Sequence, residues 1–166
     1  MPINEKGIEV EPSWSLISFF TRHQVFPAHK TIEVIHEYVP LEGSSIGGNL
    51  SADSRTDDES KAYFAKYCIN TEFFAEFDQK IGPLESPLYV YIETWLSYIL
   101  KSGANWHGPI KDFRLIIHKE SADTMMSTCI DGLKKIGPTL YEVHKTNFEP
   151  KKDIEILLVN WHRRYE

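Results

Sequence analysis

The sequence predicts a mainly β fold: an antiparallel β-sandwich with a two-helix insertion around residues 56–81. Three observations predict it. Beyond Pro87, segment after segment alternates apolar and polar residues and is bounded by short polar turns. Aromatic residues make up 13% of the chain, a composition that suits strands and buried faces. Between 56 and 81 the apolar spacing changes to that of one helix face.

The chain reads as a single domain, 1–166, opening on a polar lead-in at 1–12. "SWSLISFFTRHQ" (13–24) has the pattern of a strand, with Trp14, Leu16 and Phe20 on one face and Ile17 and Phe19 on the other. "FPAHK" (26–30) is a turn, because Pro27 lacks the donor that a central strand requires. "TIEVIHEYV" (31–39) resumes the alternation, so the two runs are expected to form a hairpin. The apolar character of the first run on both faces calls for a cover, either a homodimer partner or the two helices folded over it. "PLEGSSIGGNLSADSRTDD" (40–58) reads as a long connection rich in Gly, Ser and Asp, of the kind that is functional or mobile.

Thr56 and Glu59 have the spacing of a capping box, and Phe64, Tyr67 and Cys68 share one helix face. A second helix carries Phe73, Phe74 and Phe77 and ends at "IGP" (81–83). These rings are expected to pack onto a sheet. "LYVYIETWLSYILKSG" (88–103) then reads as a strand, with "IKDFRLIIHKE" (110–120) as its hairpin partner. "TMMSTCI" (124–130), "PTLYEVHKTNF" (138–148) and "IEILLVNWHR" (154–163) complete the set, separated by "DGLKKIG" and "EPKKD".

Composition excludes several classes of function. With 166 residues and a formal net charge of -6, the chain suits one core and does not suit nucleic acid, which needs a basic stripe. Lys134-Lys135, Lys151-Lys152 and Arg163-Arg164 are isolated pairs. No apolar run approaches the ~20 residues of a membrane span. "MPINEKGIEVEPSW" lacks the basic start and apolar core of a signal peptide, which taken literally places the chain in the cytoplasm.

No motif supplies chemistry. The seven histidines show no HExxH spacing, and His36, His118 and His144 fall in separate strands, so no metal is expected. Ser44-Ser45 and Cys129 lie outside any GxSxG elbow, and "SSIGGN" does not open a helix as a phosphate loop would. Asp53, Asp57, Asp58 and Glu59 lack EF-hand spacing and suit a helix N-terminus. Cys68 and Cys129 are too few for a disulfide scaffold: they are either one staple between helix and sheet or two free cysteines.

The densest stretch is "GANWHGPIKDFRLIIHKE" (103–120). Gly103 and Gly108 suit a tight connection, Pro109 marks a strand start, and Trp106 is expected to fold over the core as a lid. Were that ring buried, Trp106→Ala would cost about 3–5 kcal/mol. The residues offered for binding are Asn105, Trp106, His107, Asp112 and Arg114. No catalytic residue and no cofactor is assigned.

The same stretch, "YILKSGANWHGPIKDFRLIIHKE", resembles the signature of a bacterial domain-of-unknown-function family, number 4424. "FFTRHQVFPAHKTIEVIHEYVP", "YCIN", "STCIDGLKKIGPT" and "TNFEPKKDIEILL" fit it in the same order. The resemblance implies exported proteins about twice this length, with a signal peptide and a further β-rich half upstream, of which this chain is similar to the C-terminal portion, and hence a periplasmic or secreted location. It brings no catalytic residues. The expected function is therefore a non-enzymatic binding or structural module of an exported or envelope-associated protein. The alternative is a hydrolase with a polar pocket beside 103–114.

Overall fold

The computed structural model describes residues 19, 21, 23–82 and 89–163. The chain divides into two units, Met1–Tyr38 and Val39–Glu166. In the first, the expected turn is present: the Lys30 amide donates to the Pro27 carbonyl at 3.4 Å. The hairpin is not formed by 31–39, which carries no strand. A strand exists only through pairing, and no ladder to 31–39 is present among the described residues. The strand expected at 13–24 lies mostly outside the described residues, as do Trp14 and Ile17; Phe19 is exposed.

The second unit is mainly β, with two antiparallel sheets and two helices. Its strands are β1 (Gly43–Ile46), β2 (Tyr89–Tyr98), β3 (Ile110–His118), β4 (Met125–Thr128), β5 (Lys134–Lys135), β6 (Leu140–Phe148) and β7 (Ile154–Arg163). One sheet runs β1-β2-β7-β4 and the other β3-β6-β5. Two expectations are corrected here. The 40–58 connection contains β1 and a 3-10 turn (Ala52–Thr56). The segment read as the hairpin partner of β2 pairs with β6 instead. Residues 99–109, with a 3-10 turn at Lys101–Asn105, make too long and irregular a link for a tight hairpin and carry the chain into the other sheet.

Helix α1 (Asp58–Tyr67) is capped by Asp57, whose carboxylate accepts the Ser60 amide at 2.6 Å. The cap thus sits one residue after the expected Thr56. Helix α2 (Thr71–Ile81) is capped by Asn70, which accepts the Phe73 amide at 2.9 Å, and ends at Gly82. Period-two alternation puts Tyr91, Glu93 and Trp95 on one face of β2, opposite Trp161, Val159 and Leu157 of β7. The helices cover that face: Tyr67, Phe73 and Phe77 join Leu50, Tyr91, Met125, Leu157 and Val159 in the core. Phe77 meets the Tyr91 ring edge-on at 4.9 Å and Trp161 at 5.4 Å. The expectation that the aromatic rings of the helices seat on a sheet is met.

In the second sheet, Phe113, Leu115 and Ile117 of β3 stand opposite Lys145, Val143 and Tyr141 of β6. Val143 is buried, whereas Asp112, Arg114 and His118 on the alternate face are exposed. Lys119, just beyond β3, ties the sheets together. Its amide donates to Thr139 O at 2.9 Å, and its ammonium donates to Thr124 O at the start of β4.

Cys68 ends α1 in the left-handed region (φ 55°) and is bridged to Cys129 just after β4, with Cα atoms 5.1 Å apart. The staple between helix and sheet is therefore formed.

Candidate functional site

Strand register builds one end of the unit. The last residue of β2, Tyr98, pairs with the first of β7, Ile154, and the first of β3, Ile110, pairs with the last of β6, Phe148. The 99–109 and 149–153 connections therefore emerge together. Asp153 joins them: its Oδ1 accepts the amides of Leu100 and Lys101, each at 2.9 Å. Those N–H groups hold its carboxyl below the usual aspartate range. Pro150 is fully buried, and a Cβ on the buried Gly103 would lie 3.2 Å from its Cγ. The two loops are thus fixed to each other by side chains of 149–153 set against the backbone of 99–109.

Behind them opens a cleft of 740 Å³, bounded by α1 on one side and by both sheets. Its apolar floor includes Leu100, Phe113, Phe148 and Ile154, and the Phe113 and Phe148 rings sit 4.7 Å apart. The disulfide forms part of the wall through Cys129, beside Ala65 and Lys66. Lys101, Lys151 and Lys152 line the rim. Lys66 lies 3.4 Å from Glu155, which also accepts the Ser97 hydroxyl at 3.0 Å. Lys145 pairs with Asp131 at 3.3 Å and stands 5.3 Å over the Phe148 ring. Thr128 Oγ1, on a residue lining the cleft, is buried with no hydrogen-bond partner among the described residues. An apolar floor of this size with a few placed polar groups is the usual form of a small-molecule site.

A second polar cluster lies inside the helix-covered core. Glu93 is 1% exposed. Its carboxylate accepts the Tyr63 hydroxyl at 2.6 Å and the Leu50 amide at 3.3 Å. Burial raises its pKa, against the opposing effect of these donors, and burial likewise raises the Tyr63 phenol. Tyr91, whose hydroxyl donates to Gly48 O at 3.3 Å, is pushed by burial and by Glu93 to about 12. Gly48 (φ +155°) leaves room for Glu93, because a Cβ there would meet the carboxyl carbon at 2.5 Å. Arg55 closes the same loop. It donates to Leu50 O at 2.9 and 2.8 Å and to Asp78 of α2 at 2.9 and 2.5 Å, with its guanidinium 4.3 Å over the Phe74 ring. The cluster pins residues 48–55 across the sheet.

The residues expected to bind are dispersed. Trp106 is 68% exposed and does not act as a lid. It follows the 3-10 turn and precedes β3, so its ring is free of strand alternation, and its amide is spent on Gly103 O at 3.3 Å. Gly108 does take a left-handed turn conformation (φ 89°), but Gly103 serves the close approach to Pro150 instead. Asn105 borders a shallow depression with Ile99, Lys151 and Asp153, and His107 is exposed. Asp112 and Arg114 point to the outer face of β3, paired with His144 (2.7 Å) and Glu142 (2.6 Å). Among the described residues no hydrogen bond or ion pair joins either of them to Asn105 or His107. Nor do three His, Cys, Asp or Glu side chains gather there as metal ligands.

Two features escaped the sequence reading. Glu93 was legible in principle, as a lone acid between Tyr91 and Trp95 on one apolar strand face. The grouping of Lys101 with Lys151 and Lys152 depends on which strands pair, which composition does not show.

No curated protein and no solved structure matches the chain. One family model does, over residues 3–157, described as Domain of unknown function (DUF4424). That match covers nearly the whole sequence, and the chain belongs to this family.

Proposed function

We propose that the protein is a non-enzymatic binding module of an exported protein, with the cleft behind the 99–109 and 149–153 loops as its ligand site. The observation that carries this reading is the cleft itself: 740 Å³ with an aromatic and aliphatic floor. Three of the four acids that line it are already engaged, Glu155 by Ser97 and Lys66, Asp153 by two amides, and Asp131 by Lys145. Groups committed in this way orient a ligand rather than shuttle protons. The Cys68–Cys129 bridge supports an oxidising compartment, where such bonds persist.

Anilinonaphthalene sulfonate, an aromatic anion, is a direct probe of such a cleft. The folded protein should bind it saturably at one site, and Ala65→Trp, which fills the wall, should remove that binding. Non-saturable binding, or binding indifferent to Ala65→Trp, would refute the cleft as a ligand site. Thiol trapping in the cells that make the protein tests the compartment: recovery of both cysteines as free thiols would oppose export.

A further inference from the structure

We infer that the tip formed by the 99–109 and 149–153 loops docks onto an anionic phospholipid surface. This goes beyond the binding-module reading and does not require the cleft to be occupied.

Two large apolar side chains, Ile99 (73% exposed) and Trp106 (68% exposed), project from this end. They project from a fixed base. Asp153 holds the Leu100 and Lys101 amides, and Gly103 packs on the buried Pro150. Fixed loops that leave an indole and an isoleucine in water mark an interaction site rather than an accident of a loose segment. Lys101, Lys151 and Lys152 border the same loops, and Lys101 and Lys151 share a depression with Ile99. Three carboxylates lie near these lysines: Asp153, exposed with its Oδ1 on two amides, Asp131, paired with Lys145, and Glu149.

This combination has a specific chemistry. An indole and an aliphatic chain partition to the headgroup boundary, and lysines around them meet lipid phosphates. Each lysine held near an anionic leaflet strengthens partition by roughly fivefold. The chain as a whole carries a net charge of -6. An anionic bilayer therefore repels most of its surface and attracts this end, so the charge asymmetry also sets the orientation. A soluble polyanion would use the lysines but would have no need of exposed Trp106 and Ile99.

Co-sedimentation of the whole chain with vesicles tests the inference. Vesicles of phosphatidylcholine with phosphatidylglycerol should bind it, and phosphatidylcholine alone should bind it far more weakly. Trp106→Ala with Ile99→Ser should lower partition, and Lys101→Glu with Lys151→Glu and Lys152→Glu should lower it by more than about tenfold. All five side chains lie at the surface, so unchanged melting will show that the variants fold. Failure to bind phosphatidylglycerol vesicles overturns the inference. So does binding that ignores either set of changes, since loss through the lysines alone would mean mere attraction to polyanions.

Discussion

The Tyr63 hydroxyl donates to the buried carboxylate of Glu93 across 2.6 Å, linking α1 to the centre of β2. No cation accompanies this acid among its described hydrogen bonds, and its other donors are the backbone amides of Leu50 and Asn49. A buried acceptor that loses its donor keeps the desolvation cost. Tyr63→Phe should therefore destabilise the fold by about 1.5–3 kcal/mol in urea unfolding. A neutral result would mean that the carboxyl is satisfied by another route.

The same acid should give a signature in pH. Burial raises its pKa in the folded chain above the ordinary glutamate value. A carboxyl shifted upward is easier to keep folded when protonated. Its contribution is fully present below the unfolded pKa and is lost as pH rises through the folded one. Between those two values, Glu93→Gln should flatten the part of the stability profile that falls with rising pH. Parallel profiles for the two proteins across that window would show that Glu93 does not titrate there.

The bridge between Cys68 and Cys129 spans 61 residues and joins the helix pair to β4. Chain entropy assigns a loop of that length about 4 kcal/mol. The helices supply Tyr67, Phe73 and Phe77 to the main core, so weakening their attachment exposes the larger sheet. Cys68→Ser with Cys129→Ser should lower the stability by up to about that amount, read from denaturation midpoints. Identical midpoints with and without reductant would remove the bridge from the account.

Gly48 takes a backbone angle that side chains rarely adopt, and it lies against Glu93. Gly48→Ala adds strain of about 1–3 kcal/mol and pushes on a carboxylate with nowhere to move. Gly47, also at positive φ, has nothing within 4 Å of an added Cβ. Gly48→Ala should thus cost more than Gly47→Ala in the same unfolding assay. The reverse order would place the constraint in the turn rather than in the contact with Glu93.

Strand alternation made β2, β3, β6 and β7 legible, and the Phe stripe of α2 announced a buried helix. Pairing was harder, because Ile110–His118 suits either neighbour and only the long 99–109 link sends it to β6. β1 was hidden: "GSSI" has little strand propensity and forms through its ladder to β2. At the candidate site, the cleft could not be seen because Phe113, Phe148 and the lysines come from distant segments. Trp106 differs for another reason: residue type suggests burial, while direction just after a 3-10 turn follows local backbone.

Trp106 and Gly103 give the sharpest contrast within a single loop. The indole is 68% exposed, so Trp106→Ala should change stability by no more than about 0.5 kcal/mol. Gly103 is buried and an added methyl would stand 3.2 Å from Pro150, itself fixed between the loops. Gly103→Ala should cost about 1–3 kcal/mol, because neither the proline ring nor the amides held by Asp153 can yield easily. Thermal melts of the two variants decide it. A large loss for Trp106→Ala would show the ring covering part of the core, and would remove the exposed indole on which docking depends. A small loss there with a large one at Gly103 separates the loop's two duties: the glycine holds the corner, and the tryptophan is left free to meet a surface.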